Sequence, residues 1–298
     1  MKRQLLVWLV ERPTRAAVVT VGCSILLLQG LLPFAVLASA IPVLILLERG
    51  PKAGIGVMLA GSVAMVGLFL GFQQSPWIAL AYAAALFGVP VLMAELLRRT
   101  GSLNLVFQVT LLLALAVIAG VFVGLPQPVE LWREPVAQVV TALQQADLAV
   151  DATLVQRWVE MMWGAVLALL MLVNLGSVWL ARWFQSLIHA PGEFGREFHQ
   201  LSSGVVLGSL LVAVSLASLF VDAAWLDSLA QVAIMGLALQ VIAAAHRRKA
   251  EGRLRQGWLV VFYLVLIATL SSFVTVVLLA GLGLADFWRR MRMTALRA

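Results

Sequence analysis

The chain has 298 residues, of which 62% are hydrophobic and 12% are charged, and its mean hydropathy is +1.01. A soluble domain of this length cannot bury so much apolar surface, so the composition excludes a soluble protein and predicts a membrane protein. Basic residues outnumber acidic residues by 21 to 14. Because they cluster at the ends of apolar runs, we interpret them as markers of cytoplasmic loops, with no nucleic-acid partner.

The N-terminal residues 1–15 combine charged side chains with a short apolar piece at 5–10. No small-residue cleavage site follows at the distance that a signal peptide requires, so we expect an interfacial helix on the cytoplasmic face. The next apolar stretch, 16–47, has basic residues at both ends and is interrupted by Gly30 and Pro33. We favour a hairpin of two short helices over one long helix, because the hairpin keeps both basic clusters in the cytoplasm.

Six later segments are apolar enough to be predicted as full spans: 53–72, 78–97, 103–124, 159–184, 205–221 and 226–245. The last apolar stretch, 258–285, again has basic residues on both sides, which favours a broken pair of helices over a single tilted helix. The expected fold class is therefore all-α, a polytopic transmembrane helix bundle with about eight to ten apolar helices. We expect one integral membrane domain over residues 1–298, which crosses the membrane several times and has a cytoplasmic N-terminus.

Polar segments between the spans have distinct characters. Residues 129–157 are predicted to form an amphipathic helix on the periplasmic surface, and residues 246–256 a basic cytoplasmic loop. Pro135 is placed to start the periplasmic helix. Its apolar side chains recur at helical spacing: Val136, Val139, Val140 and Leu143.

The segment 185–203 is predicted to form a cytoplasmic elbow, because a Pro-Gly turn precedes charges interleaved with phenylalanines. In one interpretation its aromatic side chains dip into the membrane, and in the other it is a docking element or gate. Two histidines and two glutamates raise the question of a metal site, but their spacing matches no known ligand pattern, so we expect no metal. The motif residues are Pro191, Gly192, Glu193, Phe194, Arg196, Glu197 and His199.

Neutral polar side chains within the predicted spans are the candidates for a binding cavity. They are Asn174, Gln108, Gln231 and Gln240. The alternative is that they form hydrogen bonds between helices, as such residues commonly do in membrane proteins. Asn174 is the strongest candidate, because an unpaired amide in the middle of the bilayer is unfavourable by several kcal/mol.

A stripe of small residues runs along the predicted span 53–72 at three- and four-residue spacing: Gly56, Ala60, Ala64, Gly67 and Gly71. Small residues let helix backbones approach closely. We predict that this stripe packs against another helix of the same chain, with a partner subunit as the alternative.

The sequence contains no motif that is typical of a catalytic site. Glu95 is the charge nearest to the hydrocarbon, and its spacing from Arg98 and Arg99 predicts an interfacial ion pair. The chain has no phosphate-binding loop, no Rossmann glycine pattern and no nucleophile elbow. We therefore expect neither an enzyme nor a cofactor, and any active transport takes its energy from a partner or an ion gradient.

Two motifs carry a resemblance to a known family: the elbow from Pro191 to His199, and a C-terminal pattern of glycine and aspartate that closes on basic residues. The residues of the C-terminal motif are Gly281, Asp286, Trp288, Arg289 and Arg290. With the multi-span layout, the chain resembles the YybS-like predicted bacterial membrane proteins. That family is distantly similar to the substrate-binding subunits of energy-coupling-factor transporters, which bind a small molecule and associate with a membrane scaffold and ATPases.

The resemblance implies an inner-membrane subunit that binds or transports a small molecule and has no ATPase of its own. Its partners are then the lipid bilayer, a small-molecule ligand and a membrane or cytoplasmic protein. The alternative is a scaffold that does not transport and that recruits a cytoplasmic partner or anionic lipid through its basic face.

Overall fold

The structure is a computed structural model that describes residues 2–31, 33–72, 75–148 and 151–269, together with residues 281, 282, 285 and 288. Within these ranges the regular structure is helical, with no strand, as the sequence predicts. The chain divides into two compact units, Met1–Thr110 with Leu170–Phe198, and Leu111–Leu169 with His199–Ala298. The single domain expected over 1–298 stays a prediction.

Five helices are long and apolar enough to cross a membrane: Pro51–Gly71, Pro76–Thr100, Leu103–Gly124, Ala152–His189 and Ala224–Ala250. They correspond to five of the six segments predicted as full spans. The sixth, 205–221, is corrected, because its helix covers Gly204–Ala217 alone. Fourteen residues rise about 21 Å, which is less than the hydrocarbon thickness of a bilayer.

The first unit begins with α1 (Lys2–Glu11), α2 (Pro13–Leu28) and α3 (Pro33–Arg49). The hairpin predicted for 16–47 is present, since the chain breaks between α2 and α3, where Gly30 has a φ of +80°. Arg49 at the end of α3 donates hydrogen bonds to the carbonyls of Val10 and Glu11, which are among the unpaired carbonyls at the end of α1. A second turn, at Gly50 with a φ of +85°, leads into α4 (Pro51–Gly71).

The next span is interrupted by a π-helical segment. It consists of α5 (Pro76–Ala83), the π segment Ala84–Gly88 and α6 (Val89–Thr100). Pro90 has no backbone N–H to donate to the Leu86 carbonyl one turn before it, and the Ser39 hydroxyl of α3 donates to that carbonyl at 2.6 Å instead. At the end of α6, Glu95 forms ion pairs with Arg98 and Arg99 at 2.7 Å each, which confirms the predicted ion pair.

Close packing of α4 relies on a different face from the predicted stripe. A Cβ atom on Gly54 would lie 2.4 Å from the Leu46 Cβ atom of α3, and one on Gly61 would lie 2.7 Å from the Thr20 Cγ2 atom of α2. By contrast, a Cβ atom on Gly56, Gly67 or Gly71 would meet no described atom within 4 Å. Ala60 and Ala64 of the stripe are half-buried. The glycines of α4 that closely approach neighbouring helices are therefore Gly54 and Gly61.

Helix α7 (Leu103–Gly124) begins in the first unit and belongs to the second unit from Leu111 on. The second unit continues with the 3₁₀ segment Pro128–Trp132, α8 (Arg133–Gln145) and the part of α9 (Ala152–His189) up to Leu169. The helix predicted within 129–157 is present as α8, although it begins at Arg133 rather than Pro135. This segment attaches to α9 through Trp163, whose indole N–H donates to the Pro128 carbonyl at 2.8 Å and whose ring meets Trp132 edge-on.

The C-terminal part of the second unit contains α11 (Gly204–Ala217), α12 (Ala224–Ala250) and α13 (Gln256–Thr269), while the short helix α10 (Glu193–Phe198) belongs to the first unit. The basic cluster that begins at His246 lies on the last turns of α12, so the predicted loop 246–256 is corrected to a short turn after Ala250. The predicted break near 269–272 and 281–283 falls largely outside the described residues.

Candidate functional site

Asn174 lies on the buried face of α9 in the first unit. The neighbouring core side chains on that face follow helical spacing, with Met171, Val178 and Ala181 almost fully buried. The Asn174 side chain is 6% exposed. The apolar sequence around it thus places an amide inside a packed helical core.

The amide oxygen of Asn174 has no hydrogen-bond partner among the described residues. Most other buried polar side chains of this unit do have one. The hydroxyls of Ser24, Thr110 and Ser177 each donate to the carbonyl four residues earlier, at 2.7–2.9 Å. Such a bond satisfies a hydroxyl inside its own helix. An amide oxygen needs a donor, and a helix interior has no free N–H group to offer.

Of the other cavity candidates, Gln240 already accepts hydrogen bonds within the second unit. Its side chain is 1% exposed, and its oxygen accepts hydrogen bonds from the backbone N–H of Ser203 at 3.0 Å and from the Ser203 hydroxyl at 2.7 Å. Ser203 immediately precedes α11. Gln240 therefore joins α12 to the start of α11, which is the inter-helix alternative rather than the cavity.

Gln231 likewise bonds between helices, because its amide N–H donates to the Met161 carbonyl of α9 at 3.2 Å. Gln108 is half-buried and has an interaction partner of its own. Gln231 and Gln240 belong to the second unit, whereas Gln108 and Asn174 belong to the first. Of the four candidates, Asn174 is the one whose oxygen is buried without a hydrogen-bond partner in the described part of the chain.

We predict that Gln240→Leu destabilises the protein by about 2 kcal/mol, because it leaves the buried N–H and hydroxyl of Ser203 without an acceptor. Gln231→Leu is the matched control on the same helix, and it removes a single, longer hydrogen bond of a half-buried side chain. The midpoint of thermal unfolding, followed by tryptophan fluorescence in detergent, measures both. Equal shifts for the two variants contradict the assignment of Gln240.

The elbow is held against the end of α9 by Arg182. This guanidinium bonds to Glu197 at 2.5 and 3.0 Å, to Glu193 at 3.1 Å and to Gln185 at 2.8 Å, and its side chain is 17% exposed. The turn that reverses the chain uses Gly192, with a φ of +94°. Two glutamates one turn apart on α10 thus share one half-buried cation. The first residues of the predicted elbow, 185–189, belong to α9.

The aromatic side chains of the elbow also pack within the first unit. Phe198 meets Trp179 of α9 edge-on with ring centroids 5.2 Å apart, and Phe194 lies 5.7 Å from Phe198. The structure thus places the elbow aromatics on the end of α9, and both interpretations of the elbow stay predictions. Arg196 is exposed, as are Pro191 and Gly192.

A buried carboxylate joins α3 to the end of α9. Glu48 accepts from His189 through one oxygen, 2.8 Å from Nε2, and its other oxygen is buried without a partner among the described residues. The Glu48 side chain is 10% exposed, whereas the His189 side chain is 61% exposed. Sequence reasoning missed this pair because its members are 141 residues apart.

His199 begins the second unit after the elbow. Its ring stacks on His246 with centroids 6.5 Å apart, and its carbonyl accepts a hydrogen bond from Arg247 at 3.1 Å. Burial, together with the nearby charge of Arg247, lowers the pKa of the His199 imidazole below its ordinary value.

We predict that His199 contributes a loss of stability in acid. The unfolded chain binds a proton at about pH 6.5, whereas the folded chain binds it at a lower pH, so the free energy of unfolding falls as pH drops through the window below about 6.5. Above that pH the imidazole is neutral in both the folded and the unfolded chain, so the loss of stability is absent. His199→Gln, which has no titrating ring, is expected to flatten this slope in unfolding midpoints measured across the window. An unchanged slope contradicts the assignment.

Metal and C-terminal sites complete the set of predicted positions. Among the described residues no group of three or more His, Cys, Asp or Glu side chains is placed to hold a metal ion. Gly281 and Trp288 of the C-terminal motif are helical and exposed, whereas Asp286, Arg289 and Arg290 lie outside the described residues.

In the first unit, the best candidate for contact with an unassigned ligand is therefore Asn174 in the core. The elbow lies at the end of the same helix, α9. Comparison of the chain with protein-family models, with curated proteins and with solved structures yielded no match.

Proposed function

We propose that this membrane protein is a subunit that binds or transports a small molecule in a bacterial inner membrane and has no ATPase of its own. The observation that carries the proposal is the buried, unpaired amide oxygen of Asn174 within a membrane-spanning helix. An unsatisfied polar group at such a place is unfavourable unless another molecule supplies its partner. A ligand with an N–H or O–H donor has the chemistry that this oxygen lacks.

The elbow supports the same proposal, because a transport subunit without an ATPase needs a surface that engages its energy-supplying partner. Arg182 holds α10 on the end of α9, the helix that carries Asn174. A ligand-dependent shift of α9 would thus reach α10 directly. The resemblance of the elbow and of the C-terminal motif to the YybS-like proteins, and through them to energy-coupling-factor substrate-binding subunits, adds to this support.

The experiment is ligand identification by mass spectrometry on full-length protein purified in mild detergent. We expect a small molecule in stoichiometric amount from the wild type and none from Asn174→Leu. Thr110→Val is the control, since it removes a buried hydroxyl that is already bonded to the Val106 carbonyl. If the same molecules co-purify with both variants in equal amounts, or if none is found in the wild type, the proposal fails.

The second candidate is a scaffold that recruits a cytoplasmic partner or anionic lipid through its basic end. The exposed charges at and after the end of α12 favour it: Arg248, Lys249, Arg253 and Arg255. Reversing Arg248 and Lys249 to Glu tests it without disturbing Arg247, which bonds to the His199 carbonyl. Loss of partner recovery from a folded variant supports the scaffold, whereas unchanged recovery contradicts it.

A further inference from the structure

The second unit contains a cavity between α12 and α13 that the proposed small-molecule function does not use. Its volume is about 310 Å³, at the small end of the range for ligand pockets. The walls come from Val241, Ala244 and Ala245 on α12 and from Trp258, Val261 and Phe262 on α13. These side chains are apolar or aromatic, so the cavity suits hydrocarbon rather than a polar molecule.

One cation stands among these walls. Arg248 is the charged residue among the described residues that line the cavity, and it is exposed at the basic end of α12. Its side chain forms no hydrogen bond or ion pair within the described part of the chain, whereas Arg253 nearby in sequence pairs with Glu251 at 3.4 Å. An unpaired guanidinium at the edge of an apolar cavity is complementary to an anionic head joined to a hydrocarbon tail.

The position of the cavity on the two helices agrees with that chemistry. It lies beside the last apolar turns of α12 and the first turns of α13, where a tryptophan and basic residues mark a membrane interface. The bond from His246 to the Tyr263 hydroxyl, 2.7 Å long, joins the same two helices. The two helices α12 and α13 are thus joined by a contact that does not depend on a ligand in the cavity.

We propose that this cavity is a binding site for an anionic phospholipid, with an acyl chain between α12 and α13 and the phosphate at Arg248. The inference is argued from the second unit alone; it rests on the lipid form of the second candidate function and deepens it by naming one site, at Arg248. Arg248 supplies a planar pair of donors that matches a phosphate, and the apolar walls take the chain that a free phosphate lacks.

The test is native mass spectrometry of the full chain in detergent, titrated with phosphatidylglycerol or with phosphatidylcholine of identical acyl chains. The wild type is expected to prefer phosphatidylglycerol. Arg248→Ala should weaken phosphatidylglycerol binding about five-fold and leave phosphatidylcholine unchanged. Lys249→Ala is the charge-matched control, because Lys249 does not line the cavity. Arg248→Lys should keep most of the preference.

The second arm of the test uses variants in which a larger side chain fills the cavity. Ala245→Leu, with Ala244→Leu as an alternative if the first variant does not fold, should weaken both lipids, because the added side chain occupies the space of the acyl chain. Equal losses for Arg248→Ala and Lys249→Ala overturn the site in favour of a diffuse basic surface. Unchanged binding in the filled variants, or displacement of the lipid by inorganic phosphate alone, overturns the acyl-chain part of the proposal.

Discussion

Gly54→Ala is expected to destabilise the first unit by about 2–3 kcal/mol, although it adds a single methyl group. The new Cβ atom would lie 2.4 Å from the Leu46 Cβ atom and 2.8 Å from the Leu46 Cα atom, so backbone as well as side chain must move. Leu46 is 1% exposed and has no space to retreat into. The contact between α3 and α4 must therefore open next to the turn at Gly50.

The matched control is Gly56→Ala on the same helix. Its Cβ atom meets no described atom within 4 Å, and alanine is favoured over glycine in a helix by about 0.5–1 kcal/mol. We therefore expect the two substitutions to change the unfolding midpoint in opposite directions. A loss of stability in Gly56→Ala as large as that in Gly54→Ala would mean that α4 packs through its small-residue stripe.

Arg182→Ala is expected to release the elbow and to lower the free energy of unfolding by about 2 kcal/mol. The substitution removes the shared cation and leaves Glu193 and Glu197 facing each other one turn apart on α10. We place the effect below that of a fully buried pair, because Glu193 is 39% exposed. A helix as short as α10 does not persist without its tertiary contacts.

Hydrogen exchange over residues 193–198 measures this release directly, and it should rise in Arg182→Ala. Arg196→Ala is the matched control, since Arg196 is exposed on the same short helix. Combining Arg182→Ala with Glu193→Gln and Glu197→Gln should restore part of the lost stability, because the uncompensated charges are removed. Equal exchange in the two single variants contradicts the role assigned to Arg182.

The outline of the fold was predictable because it depends on local signals. Apolar length locates five spanning helices, and the Gly30–Pro33 break locates the hairpin of α2 and α3. Both signals act within a few residues of the chain. The exception is α11, which is shorter than its apolar segment because its helix ends at Ala217, before the apolar residues that follow.

Packing and pairing were not predictable to the same extent. Small residues occur on both faces of α4, so their presence in the sequence does not distinguish the stripe at Gly56 from the close contact at Gly54. Arg182 reaches Glu197 because the chain reverses at Gly192, and no spacing rule for a single helix anticipates that contact. The cavity residues Arg248 and Trp258 likewise meet only through the packing of two helices.

Of the four cavity candidates chosen from the sequence, Asn174 alone remains a candidate in the structure. A polar amide in a long apolar run already singles out Asn174, because hydrocarbon offers it no partner. The same argument selects Gln240 equally well, and what separates them is the position of Ser203, which lies 37 residues from Gln240 in the chain. Whether a buried amide is satisfied is therefore a property of the tertiary structure.

The stability of ligand-free Asn174→Leu tests the central claim most directly. If the amide oxygen is kept unpaired for a ligand, an apolar side chain of similar size should stabilise the ligand-free protein. We expect its unfolding midpoint to rise and its free energy of unfolding to increase by about 1–3 kcal/mol. Ligand binding should be lost in the same variant. A lowered midpoint would contradict the account, because it would mean that the amide of Asn174 holds the helices together.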